Sequence, residues 1–501
     1  MSDNIYQNET KMPFDDGLID RLINIDESYN FENKRIIGKL ASTLESIVAF
    51  ANSDGGIIII GLEDAQKAHG RDRIYGLQEK LENWDELRRL IRFRITKYQS
   101  LPLKIMEIGC TLRGGSKGSI AAIQIDKSPA IHSIVDNGTW VRLKKGNKEL
   151  TAQESYELMF ARGAITAENQ LVDVDFDLLE TDYWQVYANK RNLTRPIDQA
   201  MYHIGLAKKD KDGNLRPTRA AVLLFAEEPA GLMASKATVR IFHYQGIAIE
   251  TTPQTNLVKP PKTISGPLIK QIQEATDYII EELAQAVHMS PLGFEIIPKY
   301  PLRVIREAIT NAVIHRDYHL PIDIHTRIFA DRIEIESPGL LVGSVTTQNI
   351  HYIGTHSRNP LIVNNLREFP APPNLDAGEG VRMMFGAMRK ADLYPPLYFS
   401  KAQIQRDAVM VVLYNQNRPT AWEQVSRYVD KNGWIANKHV RRILRTDDTL
   451  KASKFLKEWV DKGLLIVANP EEGTRSRKYA KSDKLPPLGL LASILLGKEN
   501  Q

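Results

Sequence analysis

The segment YPLRVIREAITNAVIHRDY, from Tyr300 to Tyr318, constrains the chain more than any other stretch, because its apolar spacing fits a helix lying on a core. At 3.6 residues per turn, Leu302, Ile305, Ile309, Ala312 and Val313 gather on one face. Glu307, Asn311 and His315 step four residues at a time along the opposite face. Such a polar stripe is ordinarily the wet side of an amphipathic helix. The alternative is chemistry. An Asn carbonyl oxygen suits Mg2+ bridging nucleotide phosphates, and a Glu one turn earlier can orient or deprotonate an attacking water.

Around this helix the chain reads as an α/β multidomain protein. With 501 residues, 43% of them hydrophobic, it has apolar material for roughly three cores. After a polar leader, 1–17, a first unit runs over 18–163 with alternating helical and strand patterns. A polar stretch, 164–181, reads as a linker. A second α/β region, 182–415, holds an apolar strand at 220–225, another at 239–243 and a Pro-, Thr- and Gln-rich connection at 251–265. Helices at 269–287 and 302–314 and a strand at 333–335 closed by Ser337-Pro338-Gly339 complete it. A basic segment, 416–482, and an apolar tail, 483–501, follow.

Several classes are excluded at this level. The one cysteine, Cys110, cannot form an internal disulfide, and the polar N-terminus is unlike a signal peptide. The longest apolar runs, 57–60 and 488–496, fall short of the ~20 residues of a membrane span. A cytoplasmic protein without membrane insertion is expected. The net charge of +5 says little for a chain of this size, but its placement says more. Segment 416–482 holds 15 Lys and Arg against 8 Asp and Glu, a balance of +7.

In ESYNFENKR, Glu32 and Lys34 stand two apart, so an extended strand projects both from one face. A helix with Leu40, Leu44, Ile47, Val48 and Phe50 on its apolar positions follows, then the turn Ser53-Asp54-Gly55-Gly56 and a buried strand at 57–60. Asp64 comes just beyond that strand. Acids holding Mg2+ or Mn2+ can activate water against a phosphodiester while a lysine balances the phosphate. Glu27, Glu32 and Asp64 with Lys34 suit that task, although acids flanking a strand are usually only solvated.

The pattern ES-x3-E-x-K, followed by AFANSDGGIIIIGLED and GTWVRLKKGN, resembles the Schlafen/AlbA-type domain over about 140 residues. The resemblance implies nucleic-acid binding and, in relatives with RNase activity, a nuclease site at the acids matching Glu27, Glu32 and Asp64. One departure is Asn33, where the family is usually apolar.

E-x3-N-A-x2-H-R-D-Y resembles the N-box of GHKL ATPases, in a divergent bacterial group commonly found behind Schlafen/AlbA-type domains. The likeness continues through RPTRAAVLLFAEEP, DRIEIESPGLL, THSRNP and DAGEGVRMMFGAM. It implies Glu307 as the water-activating residue and Asn311 as the Mg2+ ligand, with His315 beside them in an ATP site. Gly339 falls in the first glycine box and Gly378 and Gly380 in the second, where missing side chains let backbone N–H groups approach phosphate. Ser337 stands where adenine is usually met by Asp or Asn, and Arg358 is a candidate phosphate contact in a lid-like segment.

From 420 to 481 the pattern reads as three helices and a β-wing, which resembles bacterial winged helix-turn-helix domains. Lys451, Lys454 and Lys457 recur at three-residue steps, and Arg475, Arg477 and Lys478 crowd the wing, so both elements suit nucleic-acid phosphates. A solvated face or a protein-docking module is the alternative.

Together these readings predict an ATP-regulated, metal-dependent nuclease acting on DNA or RNA, of use in phage defence. The alternative is an ATP-responsive transcriptional regulator with structural acids, and a third is a protein-docking scaffold. A homo-oligomer and an operon-encoded partner protein are further expectations.

Overall fold

The structure, a computed structural model, describes residues 9–481 apart from 26, 144–145, 253, 285–287, 291–292, 296–299, 348, 353, 355, 374–378, 401–403, 405, 419, 470–472 and 474–475. Two compact units emerge, Met1–Met159 with Ala421–Gln501, and Phe160–Thr420. Gly378, Arg475 and the tail 483–501 lie outside the described residues.

The first unit opens on β1 (Glu9–Met12) and α1 (Asp16–Leu22), so the expected leader is partly built into the fold. β1 pairs in parallel with β4 (Leu103–Thr111). With β2 (Phe31–Lys34), β3 (Gly56–Ile60) and β5 (Lys117–Ile125) they form a sheet in the order β1-β4-β5-β3-β2. Four consecutive isoleucines in β3 make sense because both faces are covered. Ile58 and Ile60 pack beneath α2 (Leu40–Ala51) and α3 (Leu81–Arg94), while Ile57 and Ile59 join Leu18, Ile19 and Leu22 of α1. β2 lies at the sheet edge, beside β3 in parallel. A hairpin of β6 (Thr139–Arg142) and β7 (Asn147–Leu150) packs on α2.

Asn33 points away from Glu32, toward the α1 side, 6% exposed and with neither amide atom hydrogen-bonded. A buried amide without partners keeps its desolvation penalty and returns nothing. Asn33→Val is expected to raise the unfolding free energy by about 1–2 kcal/mol, read as a higher urea midpoint at unchanged slope. A fall in the midpoint would mean that the amide has a partner in solution.

In the second unit, β8 (Val239–His243), β9 (Lys262–Ile264), β10 (Ile324–Ile328), β11 (Arg332–Pro338), β12 (Leu397–Phe399) and β13 (Ala408–Tyr414) form one sheet in the order β9-β8-β10-β11-β13-β12. Only β8 and β10 are parallel. The expected strand at 220–225 is instead the helix α4 (Arg219–Phe225), buried from Ala220 to Phe225. Thr218 caps it, its hydroxyl accepting from the Ala221 N–H at 3.3 Å. A short apolar run carries no period, so the cap decides. α5 (Leu268–Ala284) and α6 (Leu302–Ile314) share the same core with Ile324, Ile328, Ile333 and Ile335. Leu302 is an exception to the apolar face read from the sequence, at 47% exposed in the first turn of α6. The expected linker also folds inward. Glu168 is fully buried and accepts from the Leu361 and Ile362 N–H groups at 3.0 and 2.8 Å, and burial pushes its carboxyl up to about 7.

A helix at Gly380–Lys390, α7, packs on α6. Beyond it the chain forms α8 (Thr420–Asn432), α9 (Asn437–Leu444), α10 (Thr449–Asp461) and an antiparallel pair, β14 (Leu465–Val467) with β15 (Tyr479–Lys481). Trp422, Val425, Val440, Leu456 and Trp459 are buried in this segment.

Candidate functional site

α6 is seated by its buried residues, from Val304 to Ile314, and this leaves Glu307 and Asn311 at the wall of a cavity of about 710 Å3. That volume suits a nucleotide-sized ligand. Asn311 Nδ2 donates to Glu307 Oε1 at 3.0 Å, which turns the amide oxygen into the acceptor left for a ligand or cation. Burial holds the Glu307 carboxyl above the usual carboxylate range, against the Asn311 hydrogen bond and the Arg303 charge. His315, at the end of α6, also lines the cavity, and burial with the Arg358 charge holds its imidazole neutral, down to about 4.

Both described glycines stand where a side chain cannot. Gly339 has φ +112°, and a Cβ there would lie 2.7 Å from Asp317 Cβ. At Gly380 a Cβ would fall 1.8 Å from Glu307 Oε1. The Glu307 carboxylate therefore sits against the first residue of α7, at the positive end of that helix. Ser337, 8% exposed, donates its hydroxyl to the Ala312 carbonyl at 2.6 Å, and its lone pairs stay able to accept from a base amino group. Ile335, Val409, Val411 and Met383 supply apolar wall.

Arg358 reaches the cavity wall but its guanidinium is committed elsewhere. It pairs with Asp317 at 3.1 Å and donates to the carbonyls of Phe160, Ala161 and Leu340. Both charged side chains are almost fully buried, and burial pulls the Arg358 pKa down against the Asp317 charge. Arg358 thus braces the segment after Gly339, and among the described residues the free cations at the wall are Arg303 and Arg306, which sequence reasoning missed. Asp317 was missed too, although it stands in the H-R-D-Y motif. Tyr398, whose phenol is raised by burial and then by the nearby Glu307 charge, carries no signal in the sequence.

In the first unit, Glu32 and Lys34 do share a face, with Lys34 Nζ 2.8 Å from Glu32 Oε1. The other oxygen, Oε2, is 2.8 Å from Arg142 Nη1. Arg142 also donates to the carbonyls of Tyr29 and Ser28, both at 3.0 Å, and to Asn147 Oδ1. Its side chain is 3% exposed. Glu27 Oε1 accepts from the Asn33 N–H at 3.0 Å. Burial raises the Glu27 carboxyl, against that hydrogen bond, and the Asp64 and Glu32 charges add to the rise. Asp64 Oδ1 accepts from the Gln66 N–H. Among the described residues, no three His, Cys, Asp or Glu side chains gather closely enough to hold a metal ion. A cation in the nucleotide cavity would rest on the phosphates, with Asn311 as its protein ligand.

Of the expected phosphate contacts, Lys451, Lys454 and Lys457 are exposed on α10. Arg477 and Lys478 are half-buried, with Lys478 Nζ 5.0 Å from the Trp434 ring centre. Residues 27–151 match the family model Schlafen, AlbA_2, and residues 322–413 match HATPase_c_4, described as putative ATP-dependent DNA helicase recG C-terminal. The chain joins a Schlafen/AlbA-type domain to a GHKL-like ATPase domain. The second match begins after α6 and spans β10 to β13, so the cavity has one wall inside the family's reach and one before it. No curated protein matches the chain. Among solved structures, the chain is similar to the DIP2311 protein from Corynebacterium diphtheriae, at 17% identity over 92% of this chain and 94% of that one. The TM-score of 0.38 is too low to carry an argument. The two domains indicate an ATP-dependent, nucleic-acid-related function for the Schlafen/AlbA–GHKL-like chain. Among the described residues, no helix is long and apolar enough to cross a membrane.

Proposed function

We propose that this chain is an ATP-responsive nucleic-acid-binding regulator, in which the acids of the first domain are structural. The carrying observation is the clamp on Glu32, whose two oxygens are each held by a cation, Lys34 on one side and buried Arg142 on the other. Each oxygen keeps a lone pair, but the two cations offset the charge that would draw Mg2+ and repel the ion itself. In the second unit, Glu307 would orient water and Asn311 would meet Mg2+ on the phosphates, with Ser337 at the adenine end. Segment 416–482 would act as a winged helix, with Lys451, Lys454, Lys457, Arg477 and Lys478 on phosphates. Nucleotide-dependent dimerisation in the cytoplasm fits a GHKL-like domain.

The second reading, an ATP-regulated nuclease of phage defence, has one observation in its favour. Glu27 feels the charges of both Glu32 and Asp64, so the three acids do share a neighbourhood. The wild-type protein and Glu32→Ala, given labelled tRNA, single-stranded DNA and duplex DNA with Mg2+ or Mn2+, with and without ATP, separate the two. The regulator is expected to cleave none of them and to bind nucleic acid equally with or without metal. Cleavage that disappears in Glu32→Ala would replace it with the nuclease.

A further inference from the structure

We propose that α9 and the turn after it form an anion site built for the phosphodiester backbone of a nucleic acid, separate from the α10 lysines and from Arg477 and Lys478. The proposal rests on the nucleic-acid reading above. Lys438, Arg441, Arg442 and Arg445, with Thr446 and Asp447, line a concavity of about 310 Å3. Some surface arginines of this chain are ion-paired, as Arg89 is with Glu86 and Arg71 with Asp20. Among the described residues none of these four cations has an acidic partner, and Asp447 in the same wall pairs with none of them.

Basic residues in the last turn of a helix gain from its dipole, which accounts for Arg441 and Arg442 without any ligand. It does not account for the whole cluster. Like charges three and four residues apart repel, and Lys438 stands in the first turn, where a cation is disfavoured. Arg445 is placed at greater cost still. It closes α9 in the left-handed region, φ 50° and ψ 48°, a conformation that glycine adopts freely and a side chain resists. An arginine kept there supplies something that glycine cannot. The local field is felt nearby, where burial and then the Lys438 and Arg442 charges hold the His439 imidazole below its ordinary range.

The shape names the occupant. From 438 to 445 the stripe runs about 10 Å along the helix, longer than one phosphate group and long enough to meet neighbouring phosphates of one strand. All six lining residues are polar, so an amphipathic peptide finds no apolar side chain to dock on there.

The test uses the full chain and a labelled duplex, with affinity followed as a function of salt. Each phosphate contact contributes about 0.9 to the slope of log K against log salt. The triple variant Lys438→Gln, Arg442→Gln, Arg445→Gln is expected to flatten that slope by about 2.7 and to weaken binding at least tenfold at moderate salt. Arg445→Gly is expected to weaken binding while the melting temperature holds or rises, because glycine relieves the backbone. A triple variant with the wild-type slope overturns the α9 site and leaves the nucleic-acid reading standing. A wild-type chain with no salt-dependent binding to duplex DNA or tRNA takes both down.

Discussion

Glu307→Gln is expected to lower ATP turnover at least a hundredfold while changing ATP affinity by less than about threefold. The size follows from general-base catalysis, which supplies roughly 10²–10⁴ in rate. The amide keeps the shape of the carboxyl and its oxygen can still accept from Asn311, so the cavity wall is preserved. What disappears is the ability to take a proton from water. Burial holds this carboxyl above the usual carboxylate range, so wild-type turnover should fall on the acid side as Glu307 becomes protonated, starting at a higher pH than for an exposed glutamate. Asn311→Ala is the contrasting variant, expected to lose Mg2+-dependent affinity along with turnover. Phosphate release and calorimetric titration with Mg-ATP separate the two. Unchanged turnover in Glu307→Gln would show that α6 does not present the base, and the hydrolytic reading of the cavity would go with it.

α6 was legible because its apolar period and its polar steps of four coincide in one segment, and the structure sets Glu307 and Asn311 side by side as that spacing implies. The strand bearing Glu32 and Lys34 was legible for the same reason, since a period of two puts both on one face. Segments without a period were not. The buried run at 220–225 reads equally as strand or helix, and only the Thr218 cap tells them apart. Glu9 and Glu168 look like solvated acids because their partners are distant in the chain. Glu9 pairs with Arg88 and Arg92, and Glu168 caps the turn at Leu361 and Ile362. The same limit explains the two buried arginines. Arg142 stands 110 residues from Glu32, and Arg358 stands 41 from Asp317, so their clamps belong to tertiary structure and leave no local signature.

The second large effect tests that clamp directly. Arg358→Ala should destabilise the 160–420 unit by about 3–5 kcal/mol, the usual cost of leaving one member of a buried pair without its partner. At 2–4 °C per kcal/mol for a unit of this size, the melting transition should fall by roughly 6–20 °C. The loss has two parts, the Asp317 carboxylate stranded at 7% side-chain exposure and the Ala161 and Leu340 carbonyls deprived of the guanidinium, while the Phe160 carbonyl keeps the Gly163 N–H at 2.9 Å. Pairing the change with Asp317→Asn should recover part of the loss, because the uncompensated charge goes too, while the Ala161 and Leu340 carbonyls stay deprived. Gly339 hangs on the same brace, its absent side chain lying over Asp317, so ATP binding should weaken only as the fold weakens. A variant with an unshifted melting transition and ATP affinity down tenfold or more would reverse the assignment. The guanidinium would then be free to meet phosphate in solution, and Arg358 would take back the role that its sequence position suggested.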